Sequence, residues 1–88
     1  EAYDASGKII SPGWTDMHVH FREPGWEYKE DFGTGSTAAV MGGVTTVLDM
    51  PNTKPPTDNP EHVDQKRKLA EEKSRCDFGI LGLVVQEN

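Results

Sequence analysis

Thr15-Asp16-Met17-His18-Val19-His20-Phe21-Arg22-Glu23-Pro24-Gly25 is the stretch on which the reading of this chain turns. Side chains alternate across a β-strand, so as a strand it places Met17, Val19 and Phe21 on one face and Asp16, His18, His20 and Arg22 on the other. The apolar face is an ordinary packing surface, whereas the polar face needs a purpose. At a rise of roughly 3.3 Å per residue, the two histidines stand about 6 to 7 Å apart at Cα and their rings can tilt toward one ion. Neutral imidazole is a good ligand for zinc and related metals, and a strand holds ligands more rigidly than a loop. Pro24-Gly25 stops the strand, which sets the pair near its C-terminal end. In a parallel α/β sheet or barrel that is the end where active sites form. An isolated His-x-His is more often a pair of hydrogen-bonded structural histidines than a metal site. Asp16, Arg22 and the Pro-Gly stop favour the ligand reading here.

On the N-terminal side, Ser11-Pro12-Gly13 interrupts the chain before this strand. Asp4-Ala5-Ser6-Gly7-Lys8 is a turn signal followed by Ile9-Ile10, the pattern of a β-turn or hairpin end. A domain junction is therefore expected near Pro12. On the C-terminal side, Phe32, Ser36, Ala39, Val40 and Gly43 fall at helical spacing and predict a helix over about 30–41, closed by Gly42-Gly43. Gly33 and Gly35 each cost that helix about 1 kcal/mol relative to Ala, which is understandable if small residues allow close packing on a sheet.

Val44-Thr45-Thr46-Val47-Leu48 reads as a strand covered on both faces, and runs into the stiff loop Asp49-Met50-Pro51-Asn52-Thr53-Lys54-Pro55-Pro56. Asn59-Pro60-Glu61 opens the next helix with a capping residue, proline at the first helical position and an acid in the first turn. Val63, Leu69 and Ala70 give it a thin apolar stripe, Lys66-Arg67-Lys68 opposite Glu71 and Glu72 reads as a solvated face, and His62 as a surface residue. Residues 76–85 make a third apolar strand. Strand, helix, strand, helix, strand implies parallel β-α-β crossovers. Three strands leave a sheet with open edges, and a (β/α)8 barrel takes roughly 250 residues, so the sequence reads as a slice of a larger α/β enzyme.

The composition excludes several classes. A net charge of -6 with scattered Lys and Arg is unsuited to a nucleic-acid or anionic-membrane surface. The single Cys76 rules out an intrachain disulfide framework. The longest apolar stretch, residues 78–85, is too short to cross a bilayer, and no leader pattern opens the sequence, so a cytoplasmic protein is expected.

Several motifs in one order carry a resemblance. Residues 12–25, together with Tyr28-Lys29-Glu30-Asp31, Ala39-Val40-Met41-Gly42-Gly43-Val44-Thr45-Thr46 and Met50-Pro51-Asn52-Thr53-Lys54-Pro55-Pro56, closely resemble the dihydroorotase family of the amidohydrolase superfamily. The resemblance implies the first three strands and two helices of a metal-dependent (β/α)8 TIM-type barrel over residues 12–88. Residues 1–11 are then the tail of a small N-terminal β-domain or a linker. It implies the reversible hydrolysis of L-dihydroorotate to N-carbamoyl-L-aspartate in pyrimidine biosynthesis, by an enzyme with zinc, two ions when complete. His18 and His20 match the family's first-strand metal ligands, and Arg22 and Asn52 match its substrate-carboxylate contacts. The proton-transferring acid and the remaining ligands are expected beyond residue 88, so the 88-residue chain alone is expected to be inactive. The family commonly forms homo-oligomers.

An arginine fork suits a carboxylate, and an asparagine amide can donate and accept at once. For Asn52 the competing reading is a plain turn residue after proline. The alternatives for the whole are a sister cyclic amidohydrolase, such as allantoinase or dihydropyrimidinase (hydantoinase), and a non-catalytic barrel homologue.

Overall fold

The computed structural model describes residues 1–86. Five elements follow in the expected order: β1 (Trp14–Val19), α1 (Phe32–Met41), β2 (Val44–Asp49), α2 (Pro60–Lys73) and β3 (Asp77–Ile80). The strands form one parallel sheet in the order β1-β2-β3. Each helix carries the chain back to start the next parallel strand. Residues 1–11 contain a turn, with the Lys8 N–H on the Ala5 carbonyl at 3.0 Å, and no strand.

Each helix is placed by its caps. Asp31 accepts the Thr34 N–H at 2.8 Å and the Thr34 hydroxyl faces the Asp31 N–H, a reciprocal capping box that starts α1 at Phe32 and not at Glu30. Asn59 caps α2 through the His62 N–H at 2.9 Å, with Pro60 in the first turn. The core is Phe21, Phe32, Val47 and Ala70, flanked by Val19, Ala39, Val44, Leu69, Cys76 and Phe78. Gly35 is needed for this packing: a Cβ there would stand 2.6 Å from the Phe21 ring.

Three expectations change. β1 ends at Val19, so His20, Phe21 and Arg22 are outside the strand. Met17 is exposed, while Phe21 turns into the core. The third strand stops at Ile80 where 76–85 was expected. Its neighbour β2 runs into Pro51, which has no N–H for a ladder, and the Leu83 N–H goes instead to the Thr57 carbonyl at 2.7 Å. The helices cover only the β2 face that carries Val47. Thr46 and Leu48 alternate with it and stay half-buried on the other face.

Register puts two loops at one rim. Val19 pairs with Asp49, and the Met50 N–H reaches the Val19 carbonyl at 2.9 Å. The chain that leaves β1 at His20 therefore lies beside the chain that leaves β2 at Met50. A bond from the Lys54 N–H to the Pro24 carbonyl at 3.0 Å ties the two loops together. Gly25 permits this approach, since its φ is +105° and a Cβ would stand 2.5 Å from Lys54 Cβ.

Candidate metal centre

His18 alternates with the core-packed Val19, so it projects from the sheet face that the helices leave open. His20 follows at the end of the strand, and both side chains are exposed. Their Nε2 atoms are 3.2 Å apart, with the rings inclined at 60°. Two nitrogens on one tetrahedral zinc, each about 2.0–2.1 Å from it, lie about 3.3–3.4 Å apart. The pair is therefore spaced as two ligands of one ion.

The His20 ring is held from the neighbouring loop. Its Nδ1 is 2.8 Å from Asn52 Oδ1. An amide oxygen can only accept, so the proton sits on Nδ1 and the lone pair of the neutral ring is on Nε2, facing His18. An outer hydrogen bond of this kind is what orients a metal-ligating histidine. The His18 backbone is held by its N–H on Asp16 Oδ1 at 3.1 Å. Two imidazoles are half a tetrahedral shell, and no group of three or more metal-ligating side chains occurs among the described residues.

The structure thus joins His18, His20 and Asn52 by direct contacts. Arg22 is not part of that cluster. Strand parity was expected to aim it beside the histidines, but its φ of 68° turns the chain. It is half-buried, with no carboxylate on its guanidinium among the described residues. With His20, Asp16 and Lys29 it lines an open groove of about 530 Å³ beside β1, to which His18 does not contribute.

Beneath the rim is an ion pair that sequence reasoning missed. Asp49 is fully buried: Oδ1 accepts the Phe21 N–H at 2.8 Å and Oδ2 accepts Lys66 Nζ at 3.0 Å. Lys66, only 1% exposed, also donates to the Met50 carbonyl at 2.9 Å. Burial lowers the Lys66 ammonium below the usual lysine range, and the Asp49 charge opposes that shift. The solvated-face reading of residues 66–68 holds for Arg67 and Lys68 and fails for Lys66. The signal was available: Val63, Lys66 and Ala70 share one helix face, so Lys66 lies in the apolar stripe.

A second carboxylate, Glu23, is also buried and also spent. It accepts the Phe32 N–H at 3.0 Å and Lys73 Nζ at 2.5 Å. His62 pairs with Asp58 at 2.9 Å, away from the histidine pair.

The family described as dihydro-orotase-like matches residues 7–87. The dihydroorotase of Methanothermobacter thermautotrophicus is 56% identical over 80 residues, which are 91% of this chain and 19% of that protein. The dihydroorotase of Bacillus cytotoxicus is 50% identical over 84 residues, 96% of this chain and 20% of its own length. The chain thus spans about a fifth of the curated relatives it matches. Among solved structures, the L-hydantoinase (dihydropyrimidinase) of Arthrobacter aurescens superposes with a TM-score of 0.80 at 36% identity, covering 90% of this chain and 18% of that one.

Proposed function

This chain belongs to the dihydro-orotase-like family, and from that premise we propose that it is the opening part of a zinc-dependent dihydroorotase, which interconverts L-dihydroorotate and N-carbamoyl-L-aspartate. Residues 12–88 are then the start of a (β/α)8 barrel and residues 1–11 the tail of the preceding β-domain or a linker. The observation that carries the reading is the 3.2 Å approach of His18 Nε2 and His20 Nε2, with His20 Nδ1 engaged by Asn52. Identity of 50–56% to dihydroorotases, against 36% to the hydantoinase, supports that activity over its sister. A cytoplasmic enzyme that self-associates belongs to the same proposal, and rests on the family resemblance.

His18 and His20 would hold the metal through Nε2, the two atoms that face each other at 3.2 Å. Bound there, zinc supplies Lewis-acid polarisation of the ring amide carbonyl and a water of lowered pKa. The residues of this chain orient the substrate. Arg22, with no carboxylate on its guanidinium among the described residues, can take the substrate carboxylate in a two-point grip. Asn52 spends Oδ1 on His20, which leaves its Nδ2 hydrogens to donate to the same carboxylate. The family resemblance places the proton-transferring acid on later strands, beyond residue 88; among the carboxylates near this site, Glu23 and Asp49 are buried in other pairs and Asp31 caps a helix.

The test uses the full-length protein. Dihydroorotate should be hydrolysed, zinc should co-purify, and His18→Asn should lose both. Arg22→Ala should cost about 100-fold in kcat/KM on dihydroorotate, the worth of a charged two-point contact at about 3 kcal/mol. A preference for hydantoin that survives Arg22→Ala would sink the assignment.

A further inference from the structure

We infer that Asp49 and Lys66 are positioning residues for His20, holding it in ligand geometry from beneath the rim; the inference rests on the metal-site reading of His18 and His20. The β1 ladder ends at Val19, so His20 gets no help from strand pairing. It is fixed from two directions instead. Along the chain, the Phe21 N–H is anchored on Asp49 Oδ1 at 2.8 Å. Through its side chain, His20 leans on Asn52, two residues after the Met50 carbonyl. Lys66 joins both: its ammonium donates to Asp49 Oδ2 at 3.0 Å and to the Met50 carbonyl at 2.9 Å. One buried cation therefore fixes the carboxylate that holds the backbone after His20 and the backbone that leads to the partner of its ring.

Two physical points favour positioning over general stability. A buried ion pair is commonly no more stabilising than apolar residues of the same volume, so its use here is better explained by the directions it imposes. Arg22, immediately after the anchored amide, has a φ of 68°, which a residue with a Cβ adopts only when its surroundings enforce it. The Phe21 anchor on one side and the Trp26 N–H on the Arg22 carbonyl at 2.9 Å on the other supply that constraint.

The experiment compares two double variants of the full-length protein, Asp49→Asn/Lys66→Met and Asp49→Leu/Lys66→Met. Both lack the buried charges, and only the first keeps an acceptor for the Phe21 N–H. Each is stripped of metal and titrated with cobalt(II), following affinity and the visible d–d spectrum, with circular dichroism to verify folding. The Asn variant should bind within about threefold of the unmodified protein, and the Leu variant about tenfold or more weakly with an altered spectrum, the scale of lost outer-shell support. Equal binding by the two folded variants overturns the inference alone. Should the Leu variant not fold, amide exchange in the unmodified protein decides: a Phe21 amide protected like those of β2 supports the anchor, and one exchanging like the exposed loops overturns it. If the unmodified protein binds no cobalt, or His18→Asn leaves the affinity unchanged, the metal-site reading itself has failed.

Discussion

Helix α2 carries two lysines that do the same job in different surroundings. Lys66 and Lys73 are seven residues apart, two turns, and so lie on one side of the helix. Each reaches a carboxylate whose other oxygen accepts a backbone N–H: Asp49 holds Phe21, Glu23 holds Phe32. The carboxylates are equally buried, and the difference lies in the cation. The Lys66 side chain is 1% exposed and that of Lys73 is 39% exposed. Their ammonium groups shift in opposite directions as a result. Burial pulls Lys66 down, whereas the hydrogen bond and charge of Glu23 push Lys73 up. The first link is a fixed strut in a dry interior; the second is a clasp that water can relax.

Removing one cation at a time is the severest test of that contrast. Lys66→Met leaves a fully buried carboxylate without its counter-charge, a loss of about 3–5 kcal/mol. Lys73→Met also leaves a buried carboxylate, but the cation it removes is 39% exposed and screened by water, so the loss should be smaller. Urea midpoints of the full-length variants give the ranking, and equal losses would break the distinction between strut and clasp.

A smaller effect sharpens the other half of each link. Glu23→Ala orphans the N–H of the fully buried Phe32 and should cost about 1–3 kcal/mol. Glu23→Gln keeps an acceptor for that N–H and should retain most of the stability. If Gln is as damaging as Ala, the clasp depends on its charge and not on the amide it caps. Thermal unfolding of the two variants separates these outcomes.

Both links were hard to see in the sequence for a shared reason. Periodicity and caps are local, and they gave the strand–helix–strand order, the Asn59 cap and the histidine pair. The end of β1 is not local: the Phe21 N–H is claimed by a side chain 28 residues away. Strand parity therefore misplaced Arg22, although nothing between Thr15 and Arg22 breaks a strand pattern. Lys66 was masked by its neighbours, because a Lys-Arg-Lys run looks solvated until position 66 is matched to Val63 and Ala70. Asn52 follows a proline, where a turn role is ordinary, and only the pairing of Val19 with Asp49 brings its amide to His20.

The smallest expected effect is also the one in which the two lysines act with opposite sign. A folded-state pKa raised above the unfolded value, as at Lys73, contributes stability that is fully present below the unfolded lysine pKa of about 10.4 and is lost as pH rises through the folded value. Lys66, with its folded value depressed, does the reverse. Between that lowered value and about 10.4 the unfolded chain binds more protons than the folded one, so stability from this site rises with pH. An alkaline series of unfolding midpoints on the full-length protein therefore has a sign for each variant. Relative to the unmodified protein, Lys73→Met should flatten the decline and Lys66→Met should steepen it. Two profiles that shift the same way would mean that the ammonium groups share one environment, and burial would no longer separate strut from clasp.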